Sequence, residues 1–225
     1  MFPNVALTIK KSNRKTLSIY IERDGSVSVL APNSTADSDI TQILKNKEYQ
    51  IYKHLAEWQA LNIAKVEREV VNGQSYLYLG RNYRLELVDE QRQPLLLKNG
   101  YFLLRKQDKS KANSLFIDFY KDKGLPKIVE RVQRFKTKMG VKVGQIRVME
   151  LQNRWASCSD KGNLNFHWKC FMASLDVLDY LVVHELAHLI HKNHSPAFWN
   201  EVDKILPDYR YQIEWLKNNG AALNL

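Results

Sequence analysis

The sequence predicts an α+β chain: a β-rich part up to about residue 105, then a largely helical part whose histidine-rich helix packs on a small sheet. Three observations point there. Short alternating runs, punctuated by Asp24-Gly25 and Asn99-Gly100, fill the first part. Apolar residues recur at helical spacing beyond it. Four of the six histidines fall between His184 and His194.

Taken in order, residues 6–10, 16–21 and 27–30 alternate as strands, the last two joined by a hairpin turn at Asp24-Gly25. Ser38 reads as the N-cap of one helix, with Ile40, Ile43, Leu44, Ile51 and Leu55 on a common side. Residues 76–79, 83–88, 95–97 and 101–104 read as short strands, with turns at Gly80-Arg81-Asn82 and Asn99-Gly100. Phe116, Phe119 and Tyr120 follow at helical spacing. Gly124-Leu125-Pro126 predicts a break, after which Ile128, Val129, Val132 and Phe135 continue to Gly140. Residues 145–149, 154–158 and 162–166 fit two strands joined through a polar turn. Ser174 then caps a helix, with Asp176 and Asp179 complementing its dipole and Leu175, Leu178, Val182, Leu186 and Leu189 forming a core-facing stripe. Ser195-Pro196 opens the next helix, carrying Phe198, Trp199, Val202 and Ile205. Residues 208–219 form a last helix stopped by Gly220.

The chemistry lies in the histidine run. His184 and His188 stand one helical turn apart, about 6 Å of rise and about 40° of rotation, so two imidazoles can share one ion. Glu185 is placed to reach a water held there without being a ligand itself. This is the HExxH arrangement of zinc peptidases. His191 is in phase with the pair, but about 10.5 Å of rise separates it from His184. His194 becomes reachable if the helix ends and the chain turns back, with Asn193 in a left-handed conformation and Ser195 capping the following helix. These signals favour His184, His188 and His194 as ligands of one Zn²⁺, Glu185 as general base, and His191 at the rim. Arg154, His191, Tyr209 and Tyr211 are candidates to steady an oxyanion.

Composition bounds the rest. With 44% hydrophobic and 26% charged residues, the chain reads as a globular protein. No apolar run nears the length of a membrane span, and the first residues lack a secretory pattern. Cys158 and Cys170 make no disulfide framework, and with His167 they lack paired metal-ligand spacing. A cytoplasmic setting is the expectation. The net charge of +10 is concentrated between residues 105 and 147, where thirteen Lys or Arg face four Asp or Glu. That segment reads as a solvated helix face or as an electrostatic footprint for nucleic acid.

The residues also resemble a known family. Arg14-Lys15-Thr16-Leu17-Ser18-Ile19, Ala31-Pro32, Tyr78-Leu79-Gly80 and Arg154-Trp155-Ala156-Ser157-Cys158 are similar to the bacterial YgjP-like metallopeptidases, relatives of SprT-like and minigluzincin zinc peptidases. His184-Glu185-Leu186-Ala187-His188, Asn193-His194-Ser195 and Phe198-Trp199 carry the most specific part of that likeness. The resemblance implies a zincin-like fold, zinc on His184, His188 and His194, and Glu185 as base. Ala156 stands where the family usually has Gly, and His167 where it often has Asn. The expected organisation is a β-rich scaffold or recognition region over residues 1–105 and a catalytic domain over 106–225. The expected substrate is a peptide or protein, bound through an edge strand beside the metal helix. Alternatives are a nucleic-acid-associated protease or binding module, and a zinc amidase acting on a non-protein substrate.

Overall fold

The computed structural model describes residues 5–22, 25–62, 68–151 and 154–225. The chain divides into two compact units, Met1–Lys65 and Val66–Leu225. In the first, β1 (Leu7–Ser12), β2 (Ser18–Ile21) and β3 (Val27–Pro32) form a sheet in the order β1-β3-β2, with β1 parallel and β2 antiparallel to β3. Gly25 turns the chain into β3 at φ 82°, a left-handed conformation that costs glycine nothing sterically. Asp24 lies outside the described residues.

Two helices follow, α1 (Asp37–Asn46) and α2 (Glu48–Asn62), where the sequence predicts one. The chain enters α1 through Ala36 with no side-chain cap, so Ser38 lies inside the first turn rather than before it. Asp37 and Asp39 complement the dipole there. Val27, Val29 and Ala31 meet Ile40, Leu44, Ile51 and Leu55 as the core of this unit.

The second unit opens with β4 (Ser75–Tyr78), β5 (Arg81–Val88), β6 (Leu95–Lys98) and β7 (Tyr101–Arg105), in the sheet order β4-β5-β7-β6. The β4–β5 turn is made by Leu79 and Gly80, at φ 49° and 77°, one residue earlier than predicted. Asn99-Gly100 turns β6 into β7 as predicted, with both residues left-handed. This sheet shares one core with the helices that follow. Tyr76 stacks on Phe116 with centroids 4.1 Å apart, and Phe102 meets Phe116 edge-on at 5.0 Å. The division expected after Arg105 therefore falls forty residues earlier, between Lys65 and Val66.

A long helix, α3 (Ala112–Met139), runs without interruption through Gly124 and Pro126. Packing explains why the predicted break does not occur. A Cβ at Gly124 would lie 2.3 Å from the Phe171 ring, so the glycine serves close approach rather than chain termination. Phe116 and Tyr120 before it and Ile128, Val132 and Phe135 after it keep one continuous buried side. Gly140 ends the helix left-handed at φ 65°. Val141 N–H donates to Lys136 C=O at 3.1 Å, closing a Schellman motif. Several cations of the basic segment have acidic partners: Arg105 with Asp108, Lys106 with Asp89, Lys127 with Glu130, and Arg131 and Arg134 with Asp179.

Three short strands, not two, come next: β8 (Ile146–Met149), β9 (Ala156–Cys158) and β10 (Leu164–His167). β10 is central, parallel to β8 and antiparallel to β9. A 3-10 turn over Trp168–Met172 leads into α4 (Leu175–Ala187), then α5 (Pro196–Ile205) and α6 (Tyr209–Asn219). The β4–β5 turn docks on the approach to α4. Leu79 N–H donates to Phe171 C=O at 2.7 Å, and a Cβ at Gly80 would lie 2.9 Å from Ser174 Cα. The four-stranded sheet thereby fixes the start of the histidine helix. Ser174 is its N-cap by position but makes no side-chain capping bond. Asp179, predicted to serve the dipole, is instead buried against Arg131 at 3.2 Å. Among the described residues no helix is long and apolar enough to cross a membrane.

Candidate metal centre

α4 is not the one-sided amphipathic helix its sequence suggests. It is buried on almost every side, from Val177 through Val183 and from Glu185 to Ala187. Only a helix apolar nearly all round can run through a core this way, and it gives the polar groups near its C-terminus a rigid, dry base. His184 and His188 emerge there at adjacent turns.

The turn that brings back a third histidine begins earlier than predicted. α4 ends at Ala187, and Leu189 and Ile190 N–H groups donate to Leu186 and Ala187 C=O in tightened 3-10 fashion at 3.0 Å. This tightening reverses the chain with Asn193 at an ordinary negative φ, so no left-handed residue is required. Ser195 then caps α5 as predicted, its Oγ accepting from Phe198 N–H at 3.4 Å with Pro196 at the first helical position.

The result is a convergence of His184, His188 and His194, with one ligand atom from each within 4.8 Å of the others. Nε2 of His184 and Nε2 of His194 lie 3.1 Å apart. Two nitrogens on one tetrahedral Zn²⁺ at about 2.0–2.1 Å would be separated by about 3.3 Å, so the donor set fits such an ion. His191 does not join them. Its backbone C=O accepts from His188 Nδ1–H at 3.3 Å, which fixes that ring's tautomer and leaves Nε2 as the donor to an ion. Tyr180, one turn before His184, places its hydroxyl 3.4 Å from His184 Nδ1. Sequence reasoning passed over Tyr180, although its i,i+4 spacing to His184 is the signal that could have found it.

Electrostatics agrees with neutral donors. Burial, reinforced by His188 and His194, lowers the His184 pKa to about 3. His188 is lowered by burial, against the opposing pull of the His191 carbonyl. Glu185, 5% exposed, has its pKa raised to about 8 by burial, with the Arg154 cation and the Cys158 backbone N–H working the other way. A bound cation would add to that downward pull.

The Cys158 N–H is a site contribution that no side-chain pattern reveals. It follows from strand register. His167 N–H donates to Trp155 C=O and Ser159 N–H donates to Asn163 C=O, so Ala156 and Cys158 turn their backbone groups away from β10, and the Cys158 N–H reaches Glu185 on α4.

Arg154 acts electrostatically on Glu185. Tyr209 is buried and stacks on Trp199, whereas Tyr211 is 72% exposed. His167 is fully buried. Its Nδ1 accepts from Lys169 N–H at 3.0 Å, which leaves Nε2–H to donate to Glu150 at 2.8 Å. Cys170 Sγ donates to Trp155 C=O at 3.2 Å. Among the described residues the three histidines are the cluster able to hold an ion, so Cys158, His167 and Cys170 form no second site.

Comparison with known proteins yields a family model described as YgjP-like, metallopeptidase domain, which matches residues 15–219. No curated protein matches. Among solved structures, the chain is similar to the crystal structure of the metallopeptidase zymogen of Pyrococcus abyssi abylysin. Identity is 23% over 40% of this chain and 90% of that one, with a TM-score of 0.38.

Proposed function

The chain belongs to the YgjP-like metallopeptidase family, and we propose that it hydrolyses peptide bonds with one Zn²⁺ held by His184, His188 and His194 and with Glu185 as general base. Membership makes it a metal-dependent hydrolase of peptides or proteins. The residue roles and the identity of the ion are our reading. The observation that carries it is the 3.1 Å approach of two imidazole Nε2 atoms. Imidazole nitrogens that close share either a proton or a metal ion; the third nitrogen of His188 within 4.8 Å and the burial that keeps His184 neutral support the ion, and neutral nitrogen donors in a small tetrahedral set favour zinc.

When bound, the ion would supply positive charge that acidifies water and polarises a substrate carbonyl. Glu185, anchored by the Cys158 N–H, takes the proton of the attacking water and passes it to the leaving amine. The His191 carbonyl holds His188 in the tautomer whose Nε2 lone pair faces the ion, and the Tyr180 hydroxyl lies within reach of His184 Nδ1, where it accepts when that nitrogen carries the proton. β9 is an edge strand of its sheet, and Ala156 directs its backbone groups to the same side as Cys158. This supports recognition of substrate main chain by strand addition. A nucleic-acid role for the basic segment has less behind it, because Lys127, Arg131 and Arg134 on α3 already have carboxylate partners.

The test is Glu185→Gln. Zinc content stays at one ion per chain while hydrolysis of a peptide library falls by about 10²–10⁴-fold, the usual contribution of general acid–base catalysis. Cleavage at the wild-type rate by the variant would refute the mechanism.

A further inference from the structure

The three histidines are not oriented by the same means. His184 and His188 each have an Nδ1 partner, Tyr180 Oη and His191 C=O. His194 comes from the α4–α5 connection and is exposed; among the described residues its polar contact is the one its Nε2 makes with His184. What holds its ring is aromatic packing. The Trp199 indole stacks on it with centroids 5.6 Å apart and planes 25° from parallel, and Phe198 meets it edge-on at 4.8 Å. Trp199 is stacked in turn on Tyr209 at 5.4 Å and 13°. Tyr209 is 6% exposed at the start of α6, so a column of three rings runs from the exposed histidine to a buried anchor.

We propose that Trp199, backed by Tyr209, is the positioning residue for the third ligand, taking the place of the hydrogen bond that orients the other two. The inference rests on the assignment of His194 as a ligand. The physics has two parts. Stacking removes the rotational freedom that a side chain on an exposed connection would otherwise lose when it binds the ion. An imidazole also becomes electron-poor once it donates to a dication, and the face of an indole attracts positive charge. The stack therefore favours the metal-loaded ring over the free one. Trp199 also lies edge-on to His184 at 5.9 Å, so the test has to separate the two contacts.

A double-mutant cycle does so, with zinc affinity read by competition against a chromophoric chelator. In the full-length chain, Trp199→Leu weakens zinc binding by about 10–100-fold, the range for loss of an outer-shell partner. In a His194→Ala background the same substitution costs twofold or less, because the ring it positions is gone. Trp199→Phe keeps a stacking face and recovers most of the affinity. It also shifts the ligand-field absorption of the cobalt-loaded protein, since a smaller ring reorients His194. Tyr209→Leu, which does not touch His194, weakens binding less than Trp199→Leu. Thermal melting of the chelator-treated variants reports on folding separately, and the Phe variant carries the test if the Leu variant does not fold. The inference is overturned if Trp199→Leu costs the same with and without His194. It is equally overturned if Trp199→Phe leaves both affinity and cobalt spectrum unchanged. If His194→Ala alone binds zinc as tightly as wild type, the ligand assignment itself has failed. If His194→Ala weakens binding and the Trp199 variants do not, only the positioning role has.

Discussion

His184 and Glu185 are neighbours on α4, and burial drives their pKa values in opposite directions, to about 3 and about 8. Each shift favours the uncharged form, and each has a sign for stability. Glu185 is raised from 4.5, so the folded state binds its proton more tightly than the unfolded chain does. Its contribution is fully present below pH 4.5 and is lost as pH rises through about 8. His184 is lowered from 6.5, so its contribution is present above that pH and is lost as pH falls toward about 3. In chelator-treated protein, Glu185→Gln therefore gains melting temperature relative to wild type as pH rises from 5 to 8, and the difference levels off above that. A wild-type-minus-variant difference that is flat across that range would show that Glu185 is not held in a dry site. At this scale the pairing of His184 and His188 was readable because i,i+4 spacing on a helix is a geometric statement. The Cys158 N–H was not, because a backbone donor is aimed by strand register, and the side-chain alphabet says nothing about where it goes.

Local punctuation misled where packing outvoted it. Gly124-Leu125-Pro126 has the composition of a helix end, yet α3 passes through it with Phe171 seated against the glycine. Gly220 likewise does not stop α6 by turning left-handed. Its φ is −59°, and the missing side chain leaves room for Trp155, whose ring would lie 2.8 Å from a Cβ there. By contrast, Ser195-Pro196 and Asn99-Gly100 did what they predict, because their signals concern bonds made within a few residues. The consequence for α3 is a reversal of an ordinary rule. In an exposed helix, replacing Gly by Ala stabilises by about 1 kcal/mol. Here the added methyl meets a fully buried aromatic ring that has no free end to swing aside. Overpacking of this kind costs about 1–3 kcal/mol, so the net effect of Gly124→Ala is destabilising. Denaturant unfolding measures it, and a raised midpoint would show that Phe171 can move away.

At the scale of the molecule, the composition change near Arg105 marks where strands give way to helices, which is not where one core gives way to another. Alternation and helical spacing identify elements, but which elements share a core depends on contacts between residues far apart in sequence. Tyr76, Leu85, Phe102 and Leu104 from the four-stranded sheet belong to the same cluster as Phe116, Tyr120, Phe171 and Val182. The sheet also grips the start of α4 through Leu79 and Gly80. Arg68 reaches across this unit, its guanidinium donating to Asn224 C=O at 2.6 Å and to Ser75 C=O at 3.1 Å. Truncation separates the two boundaries. A fragment of residues 66–225 retains the whole of that core and all three histidines, and is expected to unfold cooperatively and bind zinc within threefold of the full chain. A fragment of residues 106–225 exposes the faces of Phe116, Phe119 and Tyr120 that Tyr76, Tyr78 and Phe102 cover. Each buried aromatic contributes on the order of 1.5–3 kcal/mol, so losing these three rings removes about 4.5–9 kcal/mol, comparable with the roughly 5–15 kcal/mol by which a domain is typically stable. That fragment is expected to bind a hydrophobic dye, melt without a sharp transition and hold zinc weakly. Cooperative unfolding of 106–225 with zinc affinity intact would return the boundary to Arg105 and reduce the sheet to an appendage.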